Sequence, residues 1–348
     1  MTILESIYFL GYSIKKHRAL KGRKRLPCKV ISVGNITLGG TGKTPATIAL
    51  AEEAKRRGFQ PCILTRGYKG KAAGPCFVGK GEGPLLDTLS AGDEAVLMAE
   101  KLRGVPVVKG KDRYEAGLFA LQNLGSELLF ILDDGFQHWR LERDKDILLI
   151  DGANPFGNRK LLPLGHLREP VSEIKRADVI VVTKVPSGTS PAEGGLNGST
   201  AKHLGLSIND LMDEIAEHNS KSPVFFAEHS PSRFISSKGE GFALEWAKNK
   251  KFFGFCGIGN HHSFKNTLRI SGIALTGFNH FRDHYNYTDH DIRSIAEKAK
   301  MSGAAWIVTT EKDIMRLQGL DAPENLVVLA VEFCVDGGFY EEVFKSMQ

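Results

Sequence analysis

The chain lacks any long apolar run: nowhere in its 348 residues is there the ~20-residue stretch that a membrane-spanning helix requires. Cysteine is scarce too. Cys28, Cys62, Cys76, Cys256 and Cys334 are scattered with no CxxC pair, which argues against a zinc site and against a disulfide framework. An odd count with no secretory signal fits a reducing cytoplasm. Charge of one sign is not abundant: 46 Lys+Arg against 40 Asp+Glu leaves +6, which suits an anionic substrate or surface and is too small to demand nucleic acid. No internal repeat or long low-complexity tract is present. What remains is a globular composition, 42% hydrophobic and 25% charged, which excludes disorder, collagen and coiled coil. A prior of ~150 residues per domain makes two domains the first expectation.

Residues 3–14 (ILESIYFLGYSI) are apolar and aromatic, and a basic stretch follows with Lys15, Lys16, Arg18, Lys21, Arg23, Lys24 and Arg25. A signal peptide would place the charge first. The order instead suits an interfacial helix over residues 1–25, its apolar side chains in lipid and its cations on anionic headgroups. The alternative is a terminal helix packed on its own domain with a solvated basic tail.

Beyond it, short apolar runs alternate with helical patterns. Strands are expected at 28–35, 61–67, 105–110, 128–135, 146–151 and 178–184, with helices at 43–58, 92–103 and 112–123. The runs are apolar throughout, as in parallel strands covered on both faces. Residues 186–200, rich in Pro, Gly, Ser and Thr, read as a loop, followed by a helix near 206–218 and a strand at 224–229. Further strands are expected at 251–260, 270–278, 306–313 and 326–333. The layout is α/β: a P-loop-containing parallel sheet domain over 26–222, and a second, smaller α/β/α domain over 223–348 joined by a short linker.

The most specific string is VGNITLGGTGKTP (33–45), where a buried strand turns into a helix. Gly39, Gly40 and Gly42, with Thr41 between them, let backbone N–H groups close on a phosphate, and the helix start adds its dipole. Lys43 is placed to bridge the outer phosphates and the Thr44 hydroxyl to hold Mg²⁺. GxxxxGK[ST] is met except at its first glycine, where Thr37 stands. LLFILDDG ends a strand in Asp133 and Asp134, the place for a carboxylate on the metal. These two elements point to a nucleotide with magnesium, in a kinase or in a P-loop switch ATPase acting at a membrane. A dehydrogenase is disfavoured, because the loop carries GKT rather than an open GxGxxG.

Arg66, Arg113 and Arg168 suit anionic groups, since guanidinium pairs bidentately with phosphate, although surface salt bridges are an equal alternative. Tyr68 and Lys69 lie beyond a strand end, a place for substrate contact. Glu94 either binds the sugar or starts a helix. His261 and His262 are adjacent and cannot share one helix face as i,i+4 metal ligands do, so they read as structural.

The chain resembles the tetraacyldisaccharide 4'-kinases of lipid A synthesis. The resemblance rests on VGNITLGGTGKTP with its Thr37 departure, TRGYKG (65–70), GDE (92–94), DDGFQH (133–138), LLPLGHLREP (161–170), CGIGN (256–260), FRDHYNY (281–287) and TTEKD (309–313), in the family's order. It implies transfer of the γ-phosphate of ATP to the 4'-hydroxyl of tetraacyldisaccharide 1-phosphate, at the cytoplasmic face of the inner membrane. It further implies a peripheral protein, read here as a monomer with no nucleic-acid partner, whose active site lies between two α/β/α domains. The metal is expected on Thr44, on Asp133 or Asp134, and on Glu169 of the LREP string. The resemblance also implies an Asp–His base, matched here by Asp93 and His284, a pair that forms only across the closed cleft.

Overall fold

The structure is a computed structural model that describes residues 2–185, 208–345 and 347. The chain opens with α1 (Ile3–Lys21), β1 (Lys29–Gly34), α2 (Lys43–Arg56), β2 (Pro61–Thr65) and β3 (Cys76–Gly79). It continues with α3 (Thr88–Ala91), α4 (Asp93–Lys101), β4 (Val107–Lys109), α5 (Arg113–Leu124), β5 (Leu129–Asp133), β6 (Lys145–Asp151), β7 (Val179–Thr183) and α6 (Ile208–His218). A long strand, β8 (Val224–Ser236), leads to β9 (Gly241–Ala243), β10 (Lys251–Cys256), α7 (His261–Ile270), β11 (Ala274–His280) and α8 (Asp289–Met301). The chain finishes with β12 (Trp306–Thr310), α9 (Glu311–Met315), β13 (Leu326–Val335) and α10 (Phe339–Phe344).

Every strand expected from the apolar runs is present; most are shorter at their ends, whereas β8 runs on to Ser236 and β13 to Val335, beyond the expected 229 and 333. Two boundaries move. The segment expected as a strand from 270 begins as the last turn of α7, and its pairing starts only at Ala274. The run 306–313 leaves the sheet at Thr310, whose hydroxyl side chain caps α9 by accepting from the Asp313 N–H. The loop expected at 186–200 and the first two residues of the 206–218 helix lie outside the described residues.

The strands form one 13-stranded sheet in the order β11-β10-β12-β13-β8-β7-β6-β1-β5-β2-β4-β3, with β9 on β8. Neighbours are parallel except β3 with β4, β8 with β9 and β8 with β13. β2, β5 and β7 are buried along their whole length, which is why their sequences are unbroken apolar runs. Burying one such side chain contributes about 1.5–3 kcal/mol.

Register then creates the cleft. β7 ends at Thr183 opposite Ala227 of β8, while β12 ends at Thr310, level with Leu329 of β13, which faces Phe234 of β8. Ala227 and Phe234 are about 23 Å apart along an extended strand. Because β13 runs against β8, the carboxyl ends of β10 and β12 point back toward those of β1, β5 and β7. Two sets of strand carboxyl ends, the usual ligand edge of α/β sheets, therefore confront each other. α10 returns to the β1–β5 part of the sheet: Phe339, Val343 and Phe344 join a core that includes Ile31, Ala51 and Ile131, and Phe344 stacks on Phe59 at 5.4 Å.

Candidate active site

β1 ends at Gly34, and the chain crosses Asn35–Gly42 before α2 starts at Lys43. No side chain caps α2; its N-cap is Gly42, at φ 86° in the left-handed region. The first turn of α2 thus keeps its N–H groups free of a side-chain cap, the arrangement that receives phosphate. Gly39 and Gly40 are exposed at the loop's lip, and Thr41 is buried with an Oγ1 that finds no partner among the described residues. The loop is braced from within: Asn35 Nδ2 donates to Thr37 O at 2.8 Å, and Thr183 Oγ1 donates to Thr41 O at 3.0 Å. Lys43 Nζ donates to Asn35 Oδ1 at 3.1 Å and lies 3.5 Å from Asp134 Oδ1. Thr44 is buried next to it.

Behind Gly42 stands His229 of β8, which no sequence motif marks. A Cβ on Gly42 would sit 2.2 Å from its imidazole Cε1. Burial, with the Lys184 charge, lowers the His229 imidazole to about 4. A histidine depressed in this way resists protonation only in the folded state, so it contributes stability above the unfolded value of ~6.5 that is lost as pH falls toward 4. His229→Phe is therefore expected to flatten the fall in melting temperature between pH 7 and pH 5; an unchanged slope would contradict this placement.

Asp133 closes β5 and is buried. Thr65 Oγ1 donates to its Oδ2 at 2.9 Å, while Oδ1 has no partner among the described residues. Burial, helped by Glu94 and Asp134, pushes this carboxyl up to about 6. Asp134, at φ 50°, accepts from Arg168 Nη1 on both oxygens at 2.9 Å. Burial raises its proton affinity, yet Lys43 and Arg168 outweigh that and hold it well below the usual carboxylate range. Arg113 is buried behind the pair, its Nη2 3.3 Å from Asp133 O. Glu169 is fully buried and accepts from Gln137 Nε2 at 2.6 Å, from Tyr12 OH at 3.3 Å and from Arg176. Its oxygens are engaged by protein donors, and Gln137 links it to Asn35 O at 2.7 Å.

Asp93 and Glu94 open α4, and side chains from residues 284–316 meet them there. His284 Nδ1 lies 3.0 Å from Asp93 Oδ2, and Arg316 donates to the same oxygen from Nε at 3.1 Å and from Nη2. Lys312 pairs with Glu94, which also feels the charges of Lys43 and Asp93. Tyr68 is exposed, its ring 5.6 Å from that of His284, with Lys69 Nζ 5.9 Å from the Tyr68 ring; Arg66 is exposed beside them. His261 and His262 open α7, where His261 stacks on His280 at 4.3 Å. Sequence reasoning passed over Lys312 and Arg316. Their i,i+4 spacing, two cations on one face immediately after an apolar strand, was the available signal.

A glycine loop feeding an uncapped helix, a lysine in it and a paired carboxylate at the next strand's end define a P-loop phosphotransferase site. The model of the family tetraacyldisaccharide-1-P 4'-kinase (LpxK) matches residues 1–348. The tetraacyldisaccharide 4'-kinase of Syntrophus aciditrophicus is 40% identical over 300 residues, 85% of this chain and 77% of its own. That of Halothermothrix orenii is 34% identical, covering 97% of this chain and 89% of the relative. A crystal structure of LpxK from Aquifex aeolicus in complex with ATP superposes with a TM-score of 0.76 at 32% identity, over 99% of this chain and 97% of that one. The chain belongs to the tetraacyldisaccharide-1-P 4'-kinase family.

Proposed function

We propose that the chain binds ATP with Mg²⁺ at the 35–44 loop and phosphorylates the 4'-hydroxyl of a tetraacyldisaccharide 1-phosphate, the kinase step of lipid A synthesis. The observation that carries this reading is the 3.0 Å pairing of Asp93 with His284, from opposite units, in the cleft that also holds Lys43 and Asp134. A switch ATPase needs the loop and the acidic strand end but has no use for such a pair.

In the proposed reaction the acceptor oxygen attacks the γ-phosphorus. The new O–P bond forms as the bond to the β–γ bridging oxygen breaks, and ADP leaves with that electron pair. The hydroxyl proton passes to the Asp93–His284 pair, on the residues that the second unit, 223–348 in this reading, brings to the first. Lys43 and the N–H groups of the loop neutralise charge on the phosphates. Mg²⁺ fits the donor set, because Asp133 Oδ1 is a buried carboxylate oxygen without a partner among the described residues and Asp134 is held ionised. Thr44 with Asp133 or Asp134 would hold the ion, which when bound supplies charge neutralisation at the β- and γ-phosphates. Glu169 stands behind that set through Gln137. Arg168 and Arg113 keep the acidic strand end in place, and Tyr68 and Arg66 offer themselves to the acceptor at the cleft's mouth.

The acceptor's acyl chains call for an apolar surface, and α1 supplies one by turning itself inside out. Three of its polar side chains face the protein: Glu5 Oε1 accepts from Leu161 N at 3.2 Å, Tyr8 OH donates to Arg168 O at 2.9 Å, and Lys16 pairs with Glu173 at 2.5 Å. Ile3, Ile7, Leu10 and Ile14 face outward, 44–81% exposed, on a single stripe. Among the described residues no helix is long and apolar enough to cross a membrane. We read α1 as lying on the inner membrane's cytoplasmic face, with the protein peripheral and monomeric. A groove of about 590 Å³ beneath it, lined by Phe9, Leu20, Leu161, Leu167 and Val171, suits an acyl chain. Replacing Ile3, Ile7, Leu10 and Ile14 by serine is expected to weaken sedimentation with anionic vesicles by about tenfold or more, leaving the melting temperature unchanged. Unaltered sedimentation would remove this role.

The decisive assay supplies ATP labelled at the γ-position, Mg²⁺ and a panel of glycolipids. Label on the distal sugar of the tetraacylated disaccharide is the expected result. ATP hydrolysis indifferent to every acceptor would favour the switch instead.

A further inference from the structure

We infer that Lys312 of α9 is a further catalytic residue: its ammonium leaves Glu94 when the nucleotide enters and takes the γ-phosphate from the side opposite Lys43. The inference rests on the kinase reading above and deepens it.

Three ion pairs bolt α9 along α4. Glu311 Oε1 lies 2.7 Å from Lys101 Nζ in the last turn of α4, Lys312 pairs with Glu94, and Arg316 donates to Asp93 Oδ2 from Nε at 3.1 Å and from Nη2. The two outer pairs are seated in the fold. The Arg316 and Asp93 side chains are 4% and 6% exposed, and Arg316 Nη1 also donates to Asp313 Oδ1 at 3.0 Å. Glu311 Oε2 accepts from Val331 N at 3.3 Å. The Lys312 stem therefore leaves a helix that is fixed on either side of it, which is the rigidity a positioned catalytic cation needs.

The middle pair is different. The Lys312 and Glu94 side chains are 31% and 33% exposed, so their charges stand open to the cleft where those of Arg316 and Asp93 are sealed. A pair with that much solvent contributes at most about 1 kcal/mol to the fold, and either member can change partner at little cost.

Glu94 stands between two lysines. Lys312 pairs with it from α9, and Lys43 of the phosphate loop is near enough for its charge to act on it as well. Burial alone would raise the Glu94 carboxyl, but Lys312 first and Lys43 after it outweigh that and hold it below the usual carboxylate range. Burial likewise works against the Lys312 ammonium, and Glu94, then Asp93 and Asp133, keep it charged. An anion set between the loop lysine and a cation on α9 marks the place where a terminal phosphate is held. Lys43 is kept in the same way, 3.5 Å from Asp134 Oδ1, a carboxylate that the kinase reading gives to Mg²⁺. Phosphoryl transfer spreads negative charge over the oxygens of the moving group, and Asp93, Glu94, Asp133 and Asp134 crowd that place with charge of the same sign. A second lysine offsets part of this. Its Nζ donates to a non-bridging γ-oxygen in a charge-assisted hydrogen bond, and Glu94, a third exposed, returns to water. ADP has no γ-phosphate and gains nothing from Lys312.

The test compares Kd for ATP and for ADP, each with Mg²⁺, by calorimetry in the full chain and in Lys312→Met, Glu94→Gln and the double variant, beside kcat with the lipid acceptor. Lys312→Met is expected to weaken ATP by about tenfold or more, to leave ADP unchanged and to lower kcat by ~10²–10³-fold. Glu94→Gln frees Lys312 and should tighten ATP a few-fold, again without effect on ADP. In the Lys312→Met background that gain should shrink, because the two residues act as one unit. A bracing role confined to the fold moves ATP and ADP together, so an equal loss of both in Lys312→Met would overturn the inference. So would weaker ATP binding in Glu94→Gln, or a gain of the same size in both backgrounds, which is relief of repulsion alone. Lipid phosphorylation and ATP affinity at the parent's level in Lys312→Met would leave the kinase reading standing and end this one. A parent that never phosphorylates the lipid, with the ATP–ADP contrast still moving as stated, would sink the kinase reading and uphold Lys312 on the γ-phosphate.

Discussion

Lys43→Met is expected to lower kcat by about 10²–10³-fold and to weaken ATP binding, with the fold intact. Methionine keeps the length of the stem and removes only the ammonium. In the structure that ammonium donates to Asn35 Oδ1 at 3.1 Å and stands 3.5 Å from Asp134 Oδ1, so it is already held at the mouth of the loop. Its loss leaves the buried Asn35 oxygen without that donor, a penalty of about 1–3 kcal/mol. Asp134 keeps both contacts with Arg168, so the strand end stays in place. Lys43→Arg should not rescue, because a planar fork cannot take the position of a compact point charge between two phosphates. Steady-state kinetics with ATP and lipid varied separately, beside a thermal melt, check this. Unaltered kcat in a folded Lys43→Met protein would mean that the loop does not hold the transferred phosphate.

The loop and the strands around it were legible in the sequence because each is specified locally. An apolar run buried on both faces, a glycine that tolerates φ 86° and a strand ending in Asp133–Asp134 are properties of neighbouring residues. The pairing of Asp93 with His284 was reached through resemblance, since nothing local to either residue joins positions 191 apart in the chain. What was not legible depends on register. That β8 runs on past Ala227 and carries β13 antiparallel beside it decides that the two sets of strand ends confront each other, and no pattern in 224–236 announces it. Arg316 follows from that register, because the strands that carry it run back toward α4; His229 lies against Gly42 because β8 runs on past the end of β7. Glu169 is the converse. The family resemblance implies a metal ligand there, and in the structure its oxygens accept from Gln137, Tyr12 and Arg176.

Asp93→Asn should separate chemistry from ATP binding. The amide can still accept one hydrogen bond but carries no charge, so it can neither stabilise an imidazolium on His284 nor balance Arg316. We expect kcat to fall by ~10²-fold or more while ATP affinity is retained, because the hydrogen bonds of Asp93 go to His284 and Arg316 rather than to the 35–44 loop that receives the nucleotide. The same change loosens the cleft. Arg316 keeps Asp313, so the loss should stay below the ~3–5 kcal/mol typical of orphaning a buried charge. The sign with pH is fixed by the direction of the Asp93 shift. A carboxyl held below its unfolded value of ~3.9 contributes stability that is complete above that pH and disappears as pH falls through the folded value. Urea unfolding should therefore show the parent more stable than Asp93→Asn at pH 7, with the gap closing below about pH 4. A gap that persisted undiminished into strong acid, or a variant that turned over normally, would show that Asp93 is neither the anchor of the base nor the anion that draws the two units together.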